Sequence, residues 1–558
     1  MKKLTPRTLA LALEYHLFKK DGALLSRLVP AKMQGMLRRR ARAKYLIWDA
    51  RSYAEWMKPH LEDRRRLYTG SLTPGLLSIA TPVWDGTPLA FLKLLAESIA
   101  VQNQAGACEW LLLDNGCTKT EVLAYLQELA KWKWVNLIRN EKNEGIVGGL
   151  RRCLEHASGR YLLPVDSDDW LYPDCLQIVQ DWITKSGYPA LLYSDEDKVI
   201  GPHAVQPYFK PDFDPVLLLN SAYIAHLGVI DRKEALEVGA YSDRKAEGSP
   251  DWDCFVRFYC AGHEAVHIPE VIYSWRMHPE STADDAGSKP YIHDSQRTVL
   301  QRFLDARGLN DRQQIVYSPL LPGSCDWWYQ RKPVAPQPTT LVKLTAELTD
   351  IGLWRGAPVS ALVARSGSDD HLVCLLSETV QVEREDWLWD AMALFERHQD
   401  AVMIGGRIAN SEGVVTDGGQ VLGFGSGCEC PDKGRPIVDP GYFTQMRKQR
   451  SVSAVSSQFA VIRSSFLRSC FESGELQAAS LGFLGAWLGV AALRAKRRVI
   501  YSPLLSGRSD FDWDSLVAVE ERSCFLEASK NFYPDCRFYP RPFGLTAGTA
   551  YKLPRLRQ

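Results

Sequence analysis

From Gly75 onward the chain alternates short apolar runs with longer stretches of helical periodicity. Leu76 to Ala80, Trp110 to Leu113, Trp134 to Ile138 and Tyr161 to Val165 are each four or five residues long, the length of buried strands. Between them, Leu89 to Val101, Glu121 to Trp132 and Val147 to His156 carry the spacing of helices. Strand, loop, helix, strand in this rhythm predicts a parallel sheet covered on both faces. In such sheets ligands bind beyond the carboxyl ends of the strands, so the polar tips after the runs are where chemistry is expected.

Residues 5 to 68 read as helices broken at Asp21-Gly22 and Pro30. Residues 1 to 70 carry 17 Lys and Arg against 6 Asp and Glu, including Arg38-Arg39-Arg40 and Arg64-Arg65-Arg66. Such a basic arm has two readings: a solvated helical bundle packed on its neighbour, or peripheral attachment to anionic lipid. Its apolar stretches, such as Leu9 to Leu13, are interrupted by Glu14, His16 and Lys19, far short of the ~20 residues of a membrane span. The proline-rich stretch from Arg331 to Thr339 reads as a linker. Beyond it, Ala361 to Ala364, His371 to Leu376 and Ala401 to Gly405 resume the alternation. The expected organisation is a basic helical region over 1–70, an α/β domain over 71–330, a linker over 331–340 and a second α/β domain over 341–558.

The chain has 558 residues, 46% hydrophobic and 24% charged, with a net charge of +1. This is a folded protein of more than one core, with no overall electrostatic pull toward nucleic acid. Its 13 cysteines are scattered singly apart from Cys428-Glu429-Cys430, which fits reduced thiols and not a disulfide framework or a four-ligand zinc site. With no secretory signal in the right order, the expected location is the cytoplasm or the inner face of the cell membrane.

Two acidic tips follow apolar runs, and a third precedes a helical stretch. Asp166-Ser167-Asp168-Asp169 packs three carboxylates at a strand end, where they either cap the next helix or share a divalent cation with phosphate oxygens. Ser194 to Lys198 reads on its own as a solvated turn. The tip from Glu247 to Asp253 places Asp251 and Asp253 before a helical stretch, as caps or as a general base.

Taken together, these residues resemble family 2 glycosyltransferases, whose fold is a nucleotide-binding (GT-A type) sandwich related to the Rossmann type. The match runs from about Leu76 to Ala283. Leu77 to Asp85 is similar to the family's first strand and Pro-x-aromatic turn, with Pro82 and Asp85 in it. Leu111 to Thr118 is similar to its second strand, whose carboxylate, Asp114, would receive the nucleobase. Asn143-Glu144-Gly145 resembles the Asn-x-Gly loop, and Val165 to Asp169 the metal-binding Asp-x-Asp. Tyr193 to Lys198, Tyr208 to Asp212 and His226-Leu227-Gly228 resemble a bacterial subgroup that builds O-antigen and other surface polysaccharides. Trp275 to Ser281 resembles the closing segment, with Arg276 near the donor and His278 near metal and diphosphate.

The resemblance implies metal-dependent, inverting transfer from a nucleotide sugar to a glycan or lipid-linked glycan. Asp166, Asp168 and His278 would hold Mg2+ or Mn2+, and Asp251, with Asp253 as fallback, would be the base. Of Trp84, Trp252 and Trp275, two are expected to fill core. Leu150-Arg151-Arg152 departs from the family pattern after the Asn-x-Gly loop. The competing reading is a non-catalytic sugar- or nucleotide-binding scaffold; a nucleic-acid partner lacks any recognition module.

From about Thr340 the chain resembles the same superfamily again, through Gly413 to Gly425 and Val452 to Arg463. Its counterpart of the acidic tip, Leu376-Ser377-Glu378-Thr379, has one carboxylate, and Leu481 to Gly489 has none. The second domain is therefore expected to keep the fold and lack the chemistry.

Overall fold

The computed structural model describes residues 50–201, 203–277, 290–320, 327–334, 339–344, 372–476, 479–535 and 537–553. Most of the basic arm, the run at Ala361 to Ala364, and His278 lie outside the described residues.

Helix α1 (Ala50–Leu67) is the described part of the arm, and it is docked. Tyr53, Met57 and Arg64 are buried, spaced four and then seven residues apart, so one face of the helix meets the next domain. The Tyr53 hydroxyl donates to Asp197 at 2.8 Å, and Arg64 spans Asp174 (Nε to Oδ2, 2.9 Å) and the Val271 carbonyl (2.7 Å). Arg64 is therefore removed from the basic run it belongs to in sequence, while Arg65 and Arg66 remain exposed.

The first sheet is built as the alternation predicts. β1 (Leu77–Val83), β2 (Glu109–Asn115), β3 (Val135–Asn140) and β4 (Tyr161–Pro164) run parallel in the order β3-β2-β1-β4. They are connected through α2 (Leu89–Gln102), α3 (Thr120–Leu129) and α4 (Gly145–His156). Successive side chains part to opposite faces: Leu77, Ile79, Trp110 and Leu112 enter one core, Ala80, Leu111 and Leu113 the other. Each face therefore needs helical cover, and α4 supplies it with Val147, Leu150, Cys153 and Leu154. Fully burying a side chain such as Leu154 contributes about 1.5–3 kcal/mol.

The sheet continues past β4 through β5 (Trp170–Leu171), β6 (Leu191–Ile200), β7 (His203–Tyr208), β8 (Gly228–Asp231) and β9 (Val266–Arg276), in the order β4-β8-β6-β9-β5 with β7 on β6. Helix α5 (Cys175–Lys185) leads into β6, and α6 (Pro250–Cys260) into β9. Ser194 to Lys198, expected as a solvated turn, lies inside β6, with Asp195, Glu196 and Asp197 buried. Each carboxylate has found partners that compensate its lost water. Asp195 meets His267 at 2.9 Å, Glu196 meets Lys210 at 3.3 Å, and Asp197 accepts from Tyr53, Tyr172 and Ser274.

Helix α7 (Pro290–Arg307) and a hairpin of β10 (Gln313–Tyr317) and β11 (Trp327–Arg331) precede a second sheet. Its strands are β12 (Thr339–Leu344), β13 (Leu372–Ser377), β14 (Gln381–Val382), β15 (Ala401–Ala409), β16 (Val415–Asp417), β21 (Phe459–Arg463) and β22 (Arg498–Arg508), with β19 (Arg450–Val452) on β22. β17 (Gly419–Leu422), β18 (Cys428–Glu429) and β20 (Ala454–Val455) form a small third layer. The second sheet repeats the first. Its order β12-β13-β21-β15-β22-β14, with β16 on β15, matches β1-β4-β8-β6-β9-β5, with β7 on β6. The strands correspond in chain order, and the polarity of every pair matches: β1·β4 and β12·β13 parallel, β4·β8 and β13·β21 antiparallel, β6·β8 and β15·β21 antiparallel. β6·β9 and β15·β22 are parallel, β5·β9 and β14·β22 antiparallel.

The halves are joined by buried polar contacts. Asp214 accepts from the Ser451 amide (2.7 Å) and hydroxyl (2.6 Å), and Tyr442 bridges the backbone N–H and C=O of Phe209. Arg331, in the stretch expected as a linker, is buried on β11 and pairs with Glu396 of α8 (Trp387–Arg397) at 3.0 Å. Cys428 and Cys430 are buried free thiols.

The docking of α1 rests on a buried ion pair, and breaking one of these by removing a partner costs about 3–5 kcal/mol. Arg64→Ala should lower the urea-unfolding free energy by about that amount, whereas the exposed Arg65→Ala should stay within about 0.5 kcal/mol of native.

Candidate active site at the carboxyl ends of the first sheet

β4 ends at Pro164 and the chain turns through Val165 to Asp169, with the Asp169 amide donating back to the Asp166 carbonyl at 3.3 Å. β8 runs antiparallel to β4, so His226, two residues before β8, arrives at the same edge. Ligand atoms of Asp166, Asp169 and His226 all lie within 4.8 Å of one another, the one such grouping of metal-ligand side chains among the described residues.

Each member is held in place. The His226 ring stacks on Tyr273 (4.8 Å between centroids, 15° between planes), and Trp275 meets it edge-on at 5.8 Å. Tyr273 donates its hydroxyl to Asp169, whose other oxygen accepts from the Arg276 amide at 2.7 Å. The His226 backbone is gripped on both sides by a buried ion pair: its N–H donates to Glu196 at 3.1 Å and its C=O accepts from Lys210.

The electrostatics of this edge are unbalanced. Burial first, then the neighbouring carboxylates, push Asp169 well above the usual carboxylate range. Asp166 is raised as well, by burial and by Asp168, with His226 opposing. Carboxylates this close and this poorly hydrated do not ionise together without a compensating positive charge.

Asp251 comes from a different element, the first turn of α6. Pro250 opens that helix, where its missing N–H costs nothing, and so fixes where the next side chain emerges. Burial raises Asp251 to about 6; Asp166 and Glu196 add to the shift and His226 opposes it. Asp251 thus lies within electrostatic reach of Asp166 and His226. Asp253, the fallback base, is instead buried between Arg257 (2.6 Å) and Arg302 (2.7 Å), tying α6 to α7. That pairing is structural, since both of its carboxylate oxygens are occupied.

The remaining sequence candidates fall into place around this edge. Asp168 lies in the same loop, outside the tight group, and its carbonyl accepts from Arg276 Nε at 2.8 Å. The Arg276 guanidinium sits 4.7 Å over the Phe91 ring. Asp114, at the end of β2, accepts from the Cys117 amide at 2.8 Å and faces Arg139 at 3.3 Å. Asp85 accepts from the Thr118 and Lys119 amides and the Thr118 hydroxyl, clasping the loop after β1 to the loop after β2. Pro82 is buried on β1 against Gly149 of α4, where an added Cβ would come within 3.1 Å of it. Asn143 accepts from the Gly145 amide at 2.8 Å and the Asn115 side chain at 3.2 Å, setting the start of α4.

Of the three tryptophans, Trp252 is buried with its Nε1 on the Leu218 carbonyl, Trp275 is part-buried, packed against the core and edge-on to His226, and Trp84 is 53% exposed. Glu247 carries no mark of its role in the sequence. Its carboxylate accepts from the Ile146 and Val147 amides (2.6 and 3.1 Å), locking the Asn143 loop to the loop that carries Asp251.

With this geometry in view, comparison with known proteins bears on the first domain. Residues 78–221 match the model of glycosyl transferase family 2. The chain carries a family 2 glycosyltransferase domain. It is 28% identical over 451 residues to the uncharacterized protein y4gI of Sinorhizobium fredii, covering 72% of this chain and 48% of that protein. It is 30% identical over 207 residues to the O-antigen biosynthesis protein RfbC of Myxococcus xanthus, covering 36% of this chain and 16% of that one. It is 25% identical over 265 residues to the putative glycosyltransferase EpsE of Bacillus subtilis, covering 45% of this chain and 93% of that one. The chain thus spans about half the length of the first relative and far less of the second. No described helix is long and apolar enough to cross a membrane.

The raised Asp251 carries a stability consequence with a definite sign. A carboxyl whose folded pKa lies above its unfolded value favours folding fully below about pH 3.8, and that contribution is lost as pH rises through about 6. In chelator, Asp251→Asn should therefore melt higher than native protein at pH 7.5, and the difference should shrink as pH falls through 6 and vanish near 4.

Proposed function

We propose that the first domain transfers a sugar from a nucleotide-sugar donor to a hydroxyl of a glycan or lipid-linked glycan, with inversion, in surface polysaccharide synthesis. This reading rests on the grouping of Asp166, Asp169 and His226 at one edge, with Asp251 of another element within electrostatic reach of Asp166 and His226. A binding scaffold has no use for a half-buried carboxylate with a raised pKa set apart from the acidic loop. The names of RfbC and EpsE support the same class of chemistry.

The donor set of two carboxylates and an imidazole fits a hard divalent cation such as Mg2+ or Mn2+, and the excess of buried negative charge is what such an ion relieves. Bound there, the ion would offset the charge that builds on the departing diphosphate. The rest falls to side chains of the chain itself. Asp251 takes the proton of the acceptor hydroxyl as its oxygen bonds to the anomeric carbon, and the diphosphate leaves from the other side with the bonding pair. Being raised to about 6, Asp251 is ionised at neutral pH yet basic enough to hold a proton in transit. Arg276 faces the diphosphate, Asp114 receives the base, and Asp85, Asn143 and Glu247 hold the loops between them.

Asp251→Asn should lower turnover by about 10² to 10⁴ while donor affinity, measured by calorimetry, stays within about twofold. Equal loss of donor affinity and turnover would contradict the assignment.

For the second domain we propose an inactive copy. The matched strand registers set Ser377 in the place of Asp166, Thr379 in that of Asp168, Val380 in that of Asp169 and Gln458 in that of His226. In place of an acidic cluster, Ser377, Thr379, Gln458 and Ser509 form a neutral network, with hydroxyls at 2.8 and 3.1 Å from Thr379. Helix α9 (Leu484–Arg494) matches α6, and Gly485 falls where Asp251 stands. A Cβ on Gly485 would lie 1.9 Å from the Val455 carbonyl, so β20 has closed the space a base would need. Glu378→Ala should leave transfer within about twofold of native, as expected for a surface change away from any site; a large loss of turnover would show a working second centre.

A further inference from the structure

Two segments that meet across the joint between the halves are strained. Gln206, just before the end of β7, has φ +50°, and Phe443 and Thr444 have φ +45° and +64°. The left-handed region is uncommon for any residue with a Cβ and a genuine outlier for a β-branched one such as Thr444. Strain of this kind persists only where surrounding structure enforces it, and it gathers at ligand clamps and active sites. Here it holds one aromatic ring in the open. Phe443 is 42% exposed, stacked on Tyr208 with centroids 3.7 Å apart and planes 19° apart, and braced edge-on by Tyr442 at 4.8 Å.

The ring is linked to the candidate metal group through Tyr208. Tyr208 lies directly opposite Glu196 in the β6·β7 ladder, and Lys210 Nζ, 5.8 Å from the Tyr208 ring, bonds Glu196 and the His226 carbonyl. Glu196 is in turn one of the charges that act on Asp251. Phe443, Tyr208, Glu196 and His226 therefore follow one another from the joint to the candidate metal group. Tyr208 and Phe443 also line a crevice with Ser221, Gln445 and Lys448, which offers hydrogen-bond partners beside the apolar ring.

We infer that Phe443, supplied by the second half of the chain, is a stacking platform for a pyranose ring of the acceptor, holding it for attack at the first domain's site. A pyranose presents a flat face of C–H bonds that packs on an aromatic ring, while its hydroxyls need the polar groups alongside. The inference rests on the proposed transferase function, and it gives the inactive copy a role, since its loop completes the acceptor side of the working site.

The test uses the full chain, a panel of UDP-, GDP- and dTDP-sugars with Mg2+ or Mn2+, and methyl glycosides of common hexoses as acceptors, scoring nucleoside diphosphate release. Phe443→Ala should raise the acceptor KM by about tenfold, the upper value of one aromatic contact. Its acceptor-independent donor hydrolysis should be unchanged, and Phe443→Trp should keep a near-native acceptor KM. Thr444→Gly, which relieves the strain, should melt at or above the native temperature and yet raise the acceptor KM, a combination that a purely structural loop does not produce. An unchanged acceptor KM in Phe443→Ala, or parallel loss of melting temperature, donor hydrolysis and acceptor use in all three variants, would overturn the assignment alone. A native protein that releases nucleotide from no donor would overturn the transferase reading, and this inference with it.

Discussion

Asp166 and Asp169 are packed together beside His226, and Asp251 stands within electrostatic reach of Asp166. Burial raises all three carboxyls, and neighbouring carboxylates add to each shift. The fold tolerates this because each side chain is fixed from elsewhere. Asp169 hangs on Tyr273 and the Arg276 amide, and His226 is fixed through its backbone by Glu196 and Lys210. Asp251 is set by the first turn of α6. A site that keeps carboxylates apart from their usual partners is preorganised for charge that arrives with substrate.

The second sheet shows what the same framework looks like when that tension is removed. Strand order and polarity are retained, yet serine, threonine and glutamine stand where the acidic group and histidine stood, and their hydroxyls and amide satisfy one another. The backbone of β20 fills the space of the base. Nothing in that network calls for a cation. What the second half contributes instead are contacts across the joint, through Ser451, Tyr442 and the strained segment at Phe443.

Much of the first sheet can be read from the sequence because its strands are short apolar runs separated by helices with clear periodicity. Asp166 and Asp251 stand out for a related reason, as acids in polar tips that follow apolar runs or open a helix. Other parts are hidden. Ser194 to Lys198 looks like a turn because all five of its residues are charged or hydroxylated, and only the long-range partners Tyr53, Lys210 and His267 make it a buried strand. His226 carries no local signal of a ligand role: its meeting with Asp166 depends on β8 running antiparallel to β4. Asp253 has the same local setting as Asp251, and only Arg302 of α7, far along the chain, decides that it is structural. The resemblance from about Thr340 anticipates a second copy of the fold, but the strand-by-strand match is hidden, because it lies in strand order and polarity and not in the side chains.

We propose that the chemistry of the site depends on one cation held by Asp166, Asp169 and His226 beside Asp251. Electron spin echo spectroscopy of the Mn2+-loaded protein tests that arrangement by detecting or excluding an imidazole nitrogen bonded to the ion. The expected spectrum has a nitrogen coupling that disappears in His226→Gln and persists in His278→Gln. A bound ion with no nitrogen coupling, or a coupling that survives His226→Gln and is lost only with His278, would contradict it.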